Sequence, residues 1–325
     1  MTMLLELVKR RRIAVGVVAV LALAGVLQFT NTNPAVSQTL YLTAYESGKD
    51  PGLNPSNGAW KDAVAVRVPL TAQLGSYAAG GGTVQTVSAK ALHYNDTLYV
   101  RVEWKDATQD DASTRVEDFS DAVALEFPAK TASTVPSVCM GQADAGVNIW
   151  HWRADSDAGL KDPVEIYTGA SVDGYPSTDT LFYTARAAGN PYANPDLGAV
   201  QTLVSQAFGQ LTTSTVQDVQ GKGAWANDAW AVVFARPYTS EGPDHAGFGA
   251  GARTDIAFAV WDGSQDERNG MKSASQFITL SIAGAKVPGG GGFNSTAVIL
   301  GAAMLIGFTA LGIGLGVYGY REGKR

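Results

Sequence analysis

The stretch Asn95–Asp106, NDTLYVRVEWKD, decides the fold class of this chain. Leu98, Val100 and Val102 occupy every second position and are separated by charged or aromatic residues. This alternation predicts a β-strand, because successive strand side chains point to opposite faces of a sheet. The Asn-Asp pair at its start is typical of a turn. The stretch therefore predicts a strand with one buried face, entered through a tight turn.

The same alternation recurs along the middle of the chain and predicts a mainly β protein. Gly, Asp, Asn or Pro bounds most of the repeats, as is typical of short strands in a sandwich or barrel. Helical periodicity is rare and predicts one short amphipathic helix over 200–211. The stretch 168–197 is rich in Gly, Pro, Asn and Ser, and we expect a long irregular excursion there. The other predicted strands are Val64–Val68, Val123–Phe127, Val147–Trp152, Trp230–Ala235, Asp255–Trp261 and Phe277–Ile282.

Both ends of the chain are apolar and predict membrane segments. Four basic residues, Lys9–Arg12, precede an uncharged run, and Ala35–Ser37 is a candidate cleavage site, so residues 1–37 are either a signal peptide or an anchor. The run Ala297–Tyr320 carries no charge and is long enough to span a bilayer. Basic residues at both tips predict cytoplasmic tips and an extracytoplasmic middle. The predicted order is an extracytoplasmic domain over 38–286, a Gly-rich linker over 287–294, a transmembrane helix over 295–320 and a cytoplasmic tail over 321–325.

Composition and short motifs argue against several classes of function and of site. The net charge of −6 and the lack of a basic patch argue against nucleic-acid binding. Cys139 is the single cysteine, so an internal disulfide is excluded. Asn95 and Asn294 stand in Asn-x-Ser/Thr triplets and are candidate glycosylation sites on an exported protein. No Ser/His/Asp, paired-carboxylate or zinc pattern points to an enzyme. The acidic stretch Asp106–Asp111 does not match the EF-hand spacing, and a solvated loop is expected there rather than a calcium site.

Two segments carry the most specific signal. The first is Val138–Asp155, VCMGQADAGVNIWHWRAD, and the second is Phe258–Ser273, FAVWDGSQDERNGMKS. In this order they resemble the haem-binding γ subunit that accompanies molybdenum enzymes of the dimethyl sulfoxide reductase family, such as ethylbenzene dehydrogenase. Weaker matches extend the resemblance over most of 38–286, although each alone is generic β-sandwich sequence that carbohydrate-binding modules share. These weaker matches are Ala59–Ala63, Asn95–Asp106, Phe119–Pro128 and Trp230–Arg236.

The resemblance implies an antiparallel β-sandwich that holds one non-covalent haem b between Met140 and Lys272. A b-type cytochrome of this kind transfers single electrons and catalyses no bond chemistry itself. Met271 is a rival thioether, but neighbours in an extended segment point to opposite faces. Three histidines are rival ligands: His93, His151 and His245. The other candidate haem contacts, beyond His151 itself, are Trp152, Arg153 and Arg268.

The soluble γ subunits lack a C-terminal membrane helix such as the one predicted here. In this respect the chain is similar to the membrane-anchored b-type cytochromes of archaeal respiratory chains. The expected partners are then integral-membrane cytochrome or Rieske-type subunits, or molybdenum and iron–sulfur oxidoreductase subunits. A haem-free surface module that binds carbohydrate is the alternative, and an anchored structural surface protein is a third. The alternative requires sugars to stack on exposed tryptophans, and the candidates are Trp60, Trp104, Trp150, Trp152 and Trp261.

Overall fold

A computed structural model of the chain describes residues 40–73, 80–113, 115–159, 187, 198–207 and 209–286. These residues form a mainly β protein with a five-residue helix, α1 (Ala154–Ala158), and two 3₁₀ turns, Gly58–Lys61 and Gly263–Gln265. The strands are β1 (Tyr41–Glu46), β2 (Val66–Pro69), β3 (Thr71–Ala72), β4 (Thr86–Tyr94), β5 (Thr97–Lys105), β6 (Ala122–Pro128), β7 (Val147–Arg153), β8 (Val200–Ser205), β9 (Thr212–Thr213), β10 (Gln220–Trp225), β11 (Ala229–Pro237), β12 (Arg253–Trp261), β13 (Ser273–Ala274) and β14 (Ile278–Lys286).

The strands form a sandwich-like arrangement whose two halves share β12. The half that we call the first sheet has the order β10-β11-β5-β4-β1-β14, and the second sheet has the order β12-β6-β7-β8-β9. Arg253–Ile256 of β12 pairs with β14, and Ala257–Trp261 pairs with β6, so one strand passes from one half to the other.

The sheet is mixed, which corrects the prediction of a purely antiparallel sandwich. β1 pairs in parallel with both β14 and β4, whereas the other pairings are antiparallel within the described residues. The alternating pattern of a strand does not encode its direction. Hairpin neighbours must be antiparallel, but β1 is joined to its partners through long connections that leave either direction open.

Residues 95–106 form the tight turn after β4 and the strand β5, as predicted. Asn95 and Asp96 both adopt positive φ, 45° and 55°, as a two-residue type I′ turn requires. Asn227 and Asp228, with φ of 54° and 55°, make the equivalent turn between β10 and β11. Both turns use residue types that tolerate the left-handed region.

Alternation in the second sheet separates a core face from an outer face. In β6, Val123, Leu125 and Phe127 are fully buried against the first sheet, and the residues between them point the other way. The strands predicted at β2, β5, β6, β7, β11, β12 and β14 are all present.

The helix predicted over 200–211 is wrong, because residues 200–205 form β8 and pair with β7. Both faces of β8 are covered, so the apolar Val200 and Leu203 lie on opposite sides of a strand. Their spacing of three residues is also that of neighbours on one face of a helix, which explains the wrong prediction. The predicted excursion over 168–197 lies almost entirely outside the described residues.

The predicted terminal segments, 1–37 and 287–325, lie outside the described residues. Among the residues that the structure describes, no helix has the length and apolar character needed to cross a membrane.

Candidate functional site

The outer face of the second sheet carries a cavity of about 1000 Å³. This volume is at the upper end of the range for small-molecule and cofactor sites. Its walls come from β6, β7, β8 and β12 and from the segments around residues 138–140 and 267–274. Small side chains on adjacent strands leave its floor open, namely Ala122, Ala124, Ala257 and Ala259.

Lys272 lines this cavity directly before β13, and its backbone is tightly held. Its carbonyl accepts a hydrogen bond from the backbone N–H of Gln73 at 3.2 Å. Gly81, with φ of 84°, approaches so closely that a Cβ there would lie 2.4 Å from the backbone nitrogen of Lys272. The Lys272 Nζ lies 5.1 Å from the ring centroid of Trp261. Burial lowers the pKa of Lys272, and the charge of Glu126 opposes this effect. Loss of the proton therefore costs less free energy than it does for an exposed lysine.

Met140 also lines the cavity, from a turn on the other sequence segment. Its φ is 72°, in the left-handed region that a non-glycine residue adopts only at a cost. The Ser205 hydroxyl donates to the Met140 carbonyl at 2.9 Å. The backbone N–H of Gly141 donates to the carbonyl of Ser137 at 2.9 Å and closes the turn. The neighbouring Cys139 is exposed.

His151 is the histidine that faces the cavity. Its ring centroid lies 5.1 Å from that of Trp261. Burial, with a smaller contribution from the cations Arg153 and Lys272, lowers the pKa of His151 to about 3. The imidazole is therefore neutral at physiological pH.

The other two histidines lie elsewhere. His93 is 7% exposed, and its Nε2 pairs with the backbone carbonyl of Ala283. His245 is fully buried between the hydroxyls of Ser214, at 2.8 Å, and Ser240, at 2.6 Å. Neither histidine lines the cavity.

Trp152 lies away from the cavity, unlike in the sequence prediction. It adjoins His151 in β7 and therefore points to the opposite face, into the core, where it is 0% exposed. Its indole N–H donates to Asp157 at 2.9 Å, and its ring lies 5.1 Å from that of Trp230. Trp152 does not line the cavity, which contradicts its predicted contact with a bound group there.

Arg153 and Arg268 both line the cavity. Arg153 is half-buried and forms an ion pair with Asp155. The Arg268 guanidinium lies 4.5 Å from the ring centroid of Phe119 and donates to the carbonyl of Asp266 at 2.7 Å. Two guanidinium groups at one cavity suit a ligand with carboxylate groups.

The sequence prediction missed Glu126 and Gln201, which both line the cavity. The Oε1 atoms of both side chains are buried and have no hydrogen-bond partner. Burial raises the pKa of Glu126 to about 8, against the opposing effect of Lys272. The signal for Glu126 was available, because it continues the face of Ala122 and Ala124 in the alternating pattern of β6.

The expected solvated loop is present at residues 107–109, which are exposed, but Asp106 at its start is buried. Asp106 is 5% exposed, and its carboxylate accepts from the backbone N–H of Thr108 at 3.1 Å. Asp106, Asp121 and Asp262 each offer an oxygen within 4.8 Å of the others. Desolvation raises the pKa of Asp106, and that of Asp121 rises to about 7.

Comparison with known proteins identifies the family. Residues 57–273 match the family model described as ethylbenzene dehydrogenase. The chain belongs to this family. The matched region includes both Met140 and Lys272 and every cavity-lining residue except Ala274, so the cavity belongs almost entirely to the part of the chain that matches the ethylbenzene dehydrogenase family.

Three relatives illustrate the similarity. A protein of Haloferax mediterranei, described as a candidate haem subunit of a respiratory nitrate reductase, is 30% identical over 70% of this chain and 68% of its own length. The γ subunit of chlorate reductase from Ideonella dechloratans is 26% identical over 68% of this chain and 76% of its length. The γ subunit of dimethylsulfide dehydrogenase from Rhodovulum sulfidophilum is 29% identical over 63% of this chain and 64% of its length.

Among solved structures, a family 9 carbohydrate-binding module of Caldicellulosiruptor kristjanssonii in complex with glucose is similar at a TM-score of 0.38 and 10% identity. The match covers 77% of this chain and 97% of that one. At this TM-score the likeness carries no argument about function.

The cavity of this ethylbenzene dehydrogenase family member fits a haem by the chemistry of its donors. A Met thioether and a Lys amine are both groups that can coordinate iron, the amine when neutral. The alanine floor is apolar. Arg153 and Arg268 supply cationic partners for carboxylates.

Proposed function

We propose that this protein is a membrane-anchored, extracytoplasmic b-type cytochrome that relays single electrons. It would do so within a respiratory chain, or to or from a molybdenum oxidoreductase. One observation carries the proposal: Met140 and Lys272, far apart in sequence, line the same cavity on the outer face of the second sheet.

A bound haem would supply reversible one-electron oxidation and reduction at its iron. Met140 would provide the thioether and Lys272 the amine, and an iron held by two protein ligands would favour electron transfer over the binding of oxygen or substrate. Arg153 and Arg268 would pair with the propionates. The neutral ring of His151 would lie beside the group.

Lys272 must lose a proton before its amine can coordinate, because the lone pair is otherwise occupied. An exposed lysine is protonated at neutral pH. Burial lowers the pKa of Lys272 in this cavity and so reduces the cost of the neutral form. Trp261 covers the amine and helps to exclude water.

The proposed organisation of the chain is the one that the sequence predicts. Residues 1–37 would be a signal or anchor, 38–286 the haem domain, 287–294 a linker, 295–320 the membrane helix and 321–325 a cytoplasmic tail. A tether of this kind raises the effective concentration of the domain near partners in the membrane. The names of the relatives, which are subunits of reductases and a dehydrogenase, support an oxidoreductase complex as the partner.

The burial of the candidate tryptophans argues against the carbohydrate-binding alternative. Sugar stacking needs exposed aromatic faces, but four of the five candidate tryptophans are 3% exposed or less. The fifth, Trp261, lines the cavity beside Lys272.

The test is to purify the full chain from a haem-replete host and to record its reduced-minus-oxidised spectrum and its haem content per chain. We expect a low-spin haem b spectrum and about one haem per chain, with an altered spectrum in Met140→Ala and in Lys272→Ala. A matched variant, Lys222→Ala, removes a lysine outside the cavity and should leave the spectrum unchanged. A folded but colourless protein would refute the proposal.

A further inference from the structure

The two segments that carry the proposed ligands are held in different ways. Lys272 is continuous with β13, whose Ser273 is fully buried and pairs with both β12 and β3. The backbone of Gly81 packs directly on Lys272. Lys272 is therefore tied directly to the sheet.

Met140 instead lies in a turn with a strained backbone. Its φ of 72° is followed by another positive φ, 78°, at Gly141. A strained residue of this kind persists only when its surroundings fix it, since a relaxed conformation is otherwise favoured. Gly141 cannot be replaced without a clash, because a Cβ there would lie 2.9 Å from the Ala145 carbonyl and 3.2 Å from the Ser205 carbonyl.

Ser205 supplies a side-chain hydrogen bond to the Met140 carbonyl, while the Ser137 hydroxyl accepts from the N–H of Cys139 at 3.2 Å. It ends β8, is 3% exposed, and its hydroxyl lies 2.9 Å from the carbonyl of Met140. The same hydroxyl lies 2.9 Å from the carbonyl of Ala207, which also accepts from the N–H of Gln210. Among the residues that the structure describes, Ser205 is the one donor found for the Met140 carbonyl. Loss of the hydroxyl would leave Met140, and not Ala207, without a partner.

We propose that Ser205 is a positioning residue that holds Met140 toward the cavity. Because the backbone of Met140 is strained whereas Lys272 is continuous with β13, Met140 would be the ligand that leaves a bound iron more readily. The proposal rests on the proposed function. Removal of the hydroxyl should free the turn, so that the thioether leaves the iron more often while Lys272 stays in place. The net contribution of one hydrogen bond corresponds to about a two- to tenfold change in this opening.

The experiment measures how fast carbon monoxide binds to the reduced, haem-loaded full chain by stopped flow. At saturating carbon monoxide the rate is limited by departure of the protein ligand. We expect Ser205→Ala to bind about two- to tenfold faster than wild type, and Ser205→Thr, which keeps the hydroxyl, to return toward the wild-type rate. Ser47→Ala is the matched control, because Ser47 also donates to a backbone carbonyl, that of Lys49, away from the cavity. Its rate should not change.

The outcomes separate this inference from the proposed function. A wild-type protein without a low-spin haem spectrum would refute the function. A normal wild-type spectrum with equal rates in Ser205→Ala and wild type would refute the role of Ser205 alone. If Ser205→Ala does not accumulate, Ser205→Cys keeps a similar volume with a weaker donor, and it should bind faster than wild type. A rate in Ser205→Cys equal to that of wild type would also overturn the inference.

Discussion

Ala259→Leu should stabilise the haem-free protein and weaken haem binding at the same time. Ala259 lines the cavity and faces Ala124 on β6 and Ala274 on β13, so added atoms would enter open space. Three added carbons at about 0.8 kcal/mol each would contribute about 2 kcal/mol if fully buried. Because Ala259 is only half-buried, we expect about 1 kcal/mol. In the haem-loaded state the same atoms would overlap the group, at a cost of about 1–3 kcal/mol, or about five- to 150-fold in affinity.

The assay is urea unfolding of the haem-free full chain, followed by titration with haem. Ala89→Leu is the matched control, because Ala89 is 0% exposed in the main core, where overpacking costs about 1–3 kcal/mol. The two variants should therefore change stability in opposite directions. Destabilisation by Ala259→Leu equal to that of Ala89→Leu would show that the space is not open. Unchanged haem affinity in Ala259→Leu would show that haem binds elsewhere.

Two further predictions concern stability. The pKa of Asp121 is raised to about 7 by burial, so the native state holds a proton that the unfolded state, with a carboxyl pKa near 3.8, has lost. The free energy of unfolding should therefore fall by up to about 2 kcal/mol from pH 5 to pH 7. Asp121→Asn should show a smaller fall when urea unfolding is compared at the two pH values, and an equal fall would contradict the reasoning. Arg236 is 0% exposed, donates to the Ala246 carbonyl and lies 4.3 Å from the Phe248 ring centroid, so Arg236→Ala should lose about 3–5 kcal/mol. The exposed Arg253→Ala should change stability by less than about 0.5 kcal/mol, and similar losses in both would exclude a structural role for the buried cation.

Local pattern predicted seven of the fourteen described strands, because it depends only on which residues share a face. Alternation identified β5 and β6, and the Asn-Asp pairs have the positive φ values that their residue types favour. The parallel pairing of β1 was beyond such reasoning, since it depends on which distant strands meet. β8 was misread for a related reason: both of its faces are covered and each carries polar and apolar residues together, so no period of two is visible.

The candidate site, like the fold, was predictable from the sequence only in part. Nothing in composition or spacing brings Met140 and Lys272 to one cavity; the prediction came from the family resemblance. The error at Trp152 was avoidable, because His151 and its neighbour in a strand must face opposite sides. Glu126 was visible as a lone carboxyl in a row of alanines, but only the fold shows that this row is the cavity floor.

The most direct test of the central claim is iron X-ray absorption on the haem-loaded full chain and on two variants. The account predicts one sulfur and one additional nitrogen ligand in the wild type, loss of the sulfur in Met140→Ala, and its retention in Lys272→Ala. A wild-type iron without a sulfur ligand would contradict it. So would a sulfur that remains in Met140→Ala, because Cys139 or Met271 would then be the ligand.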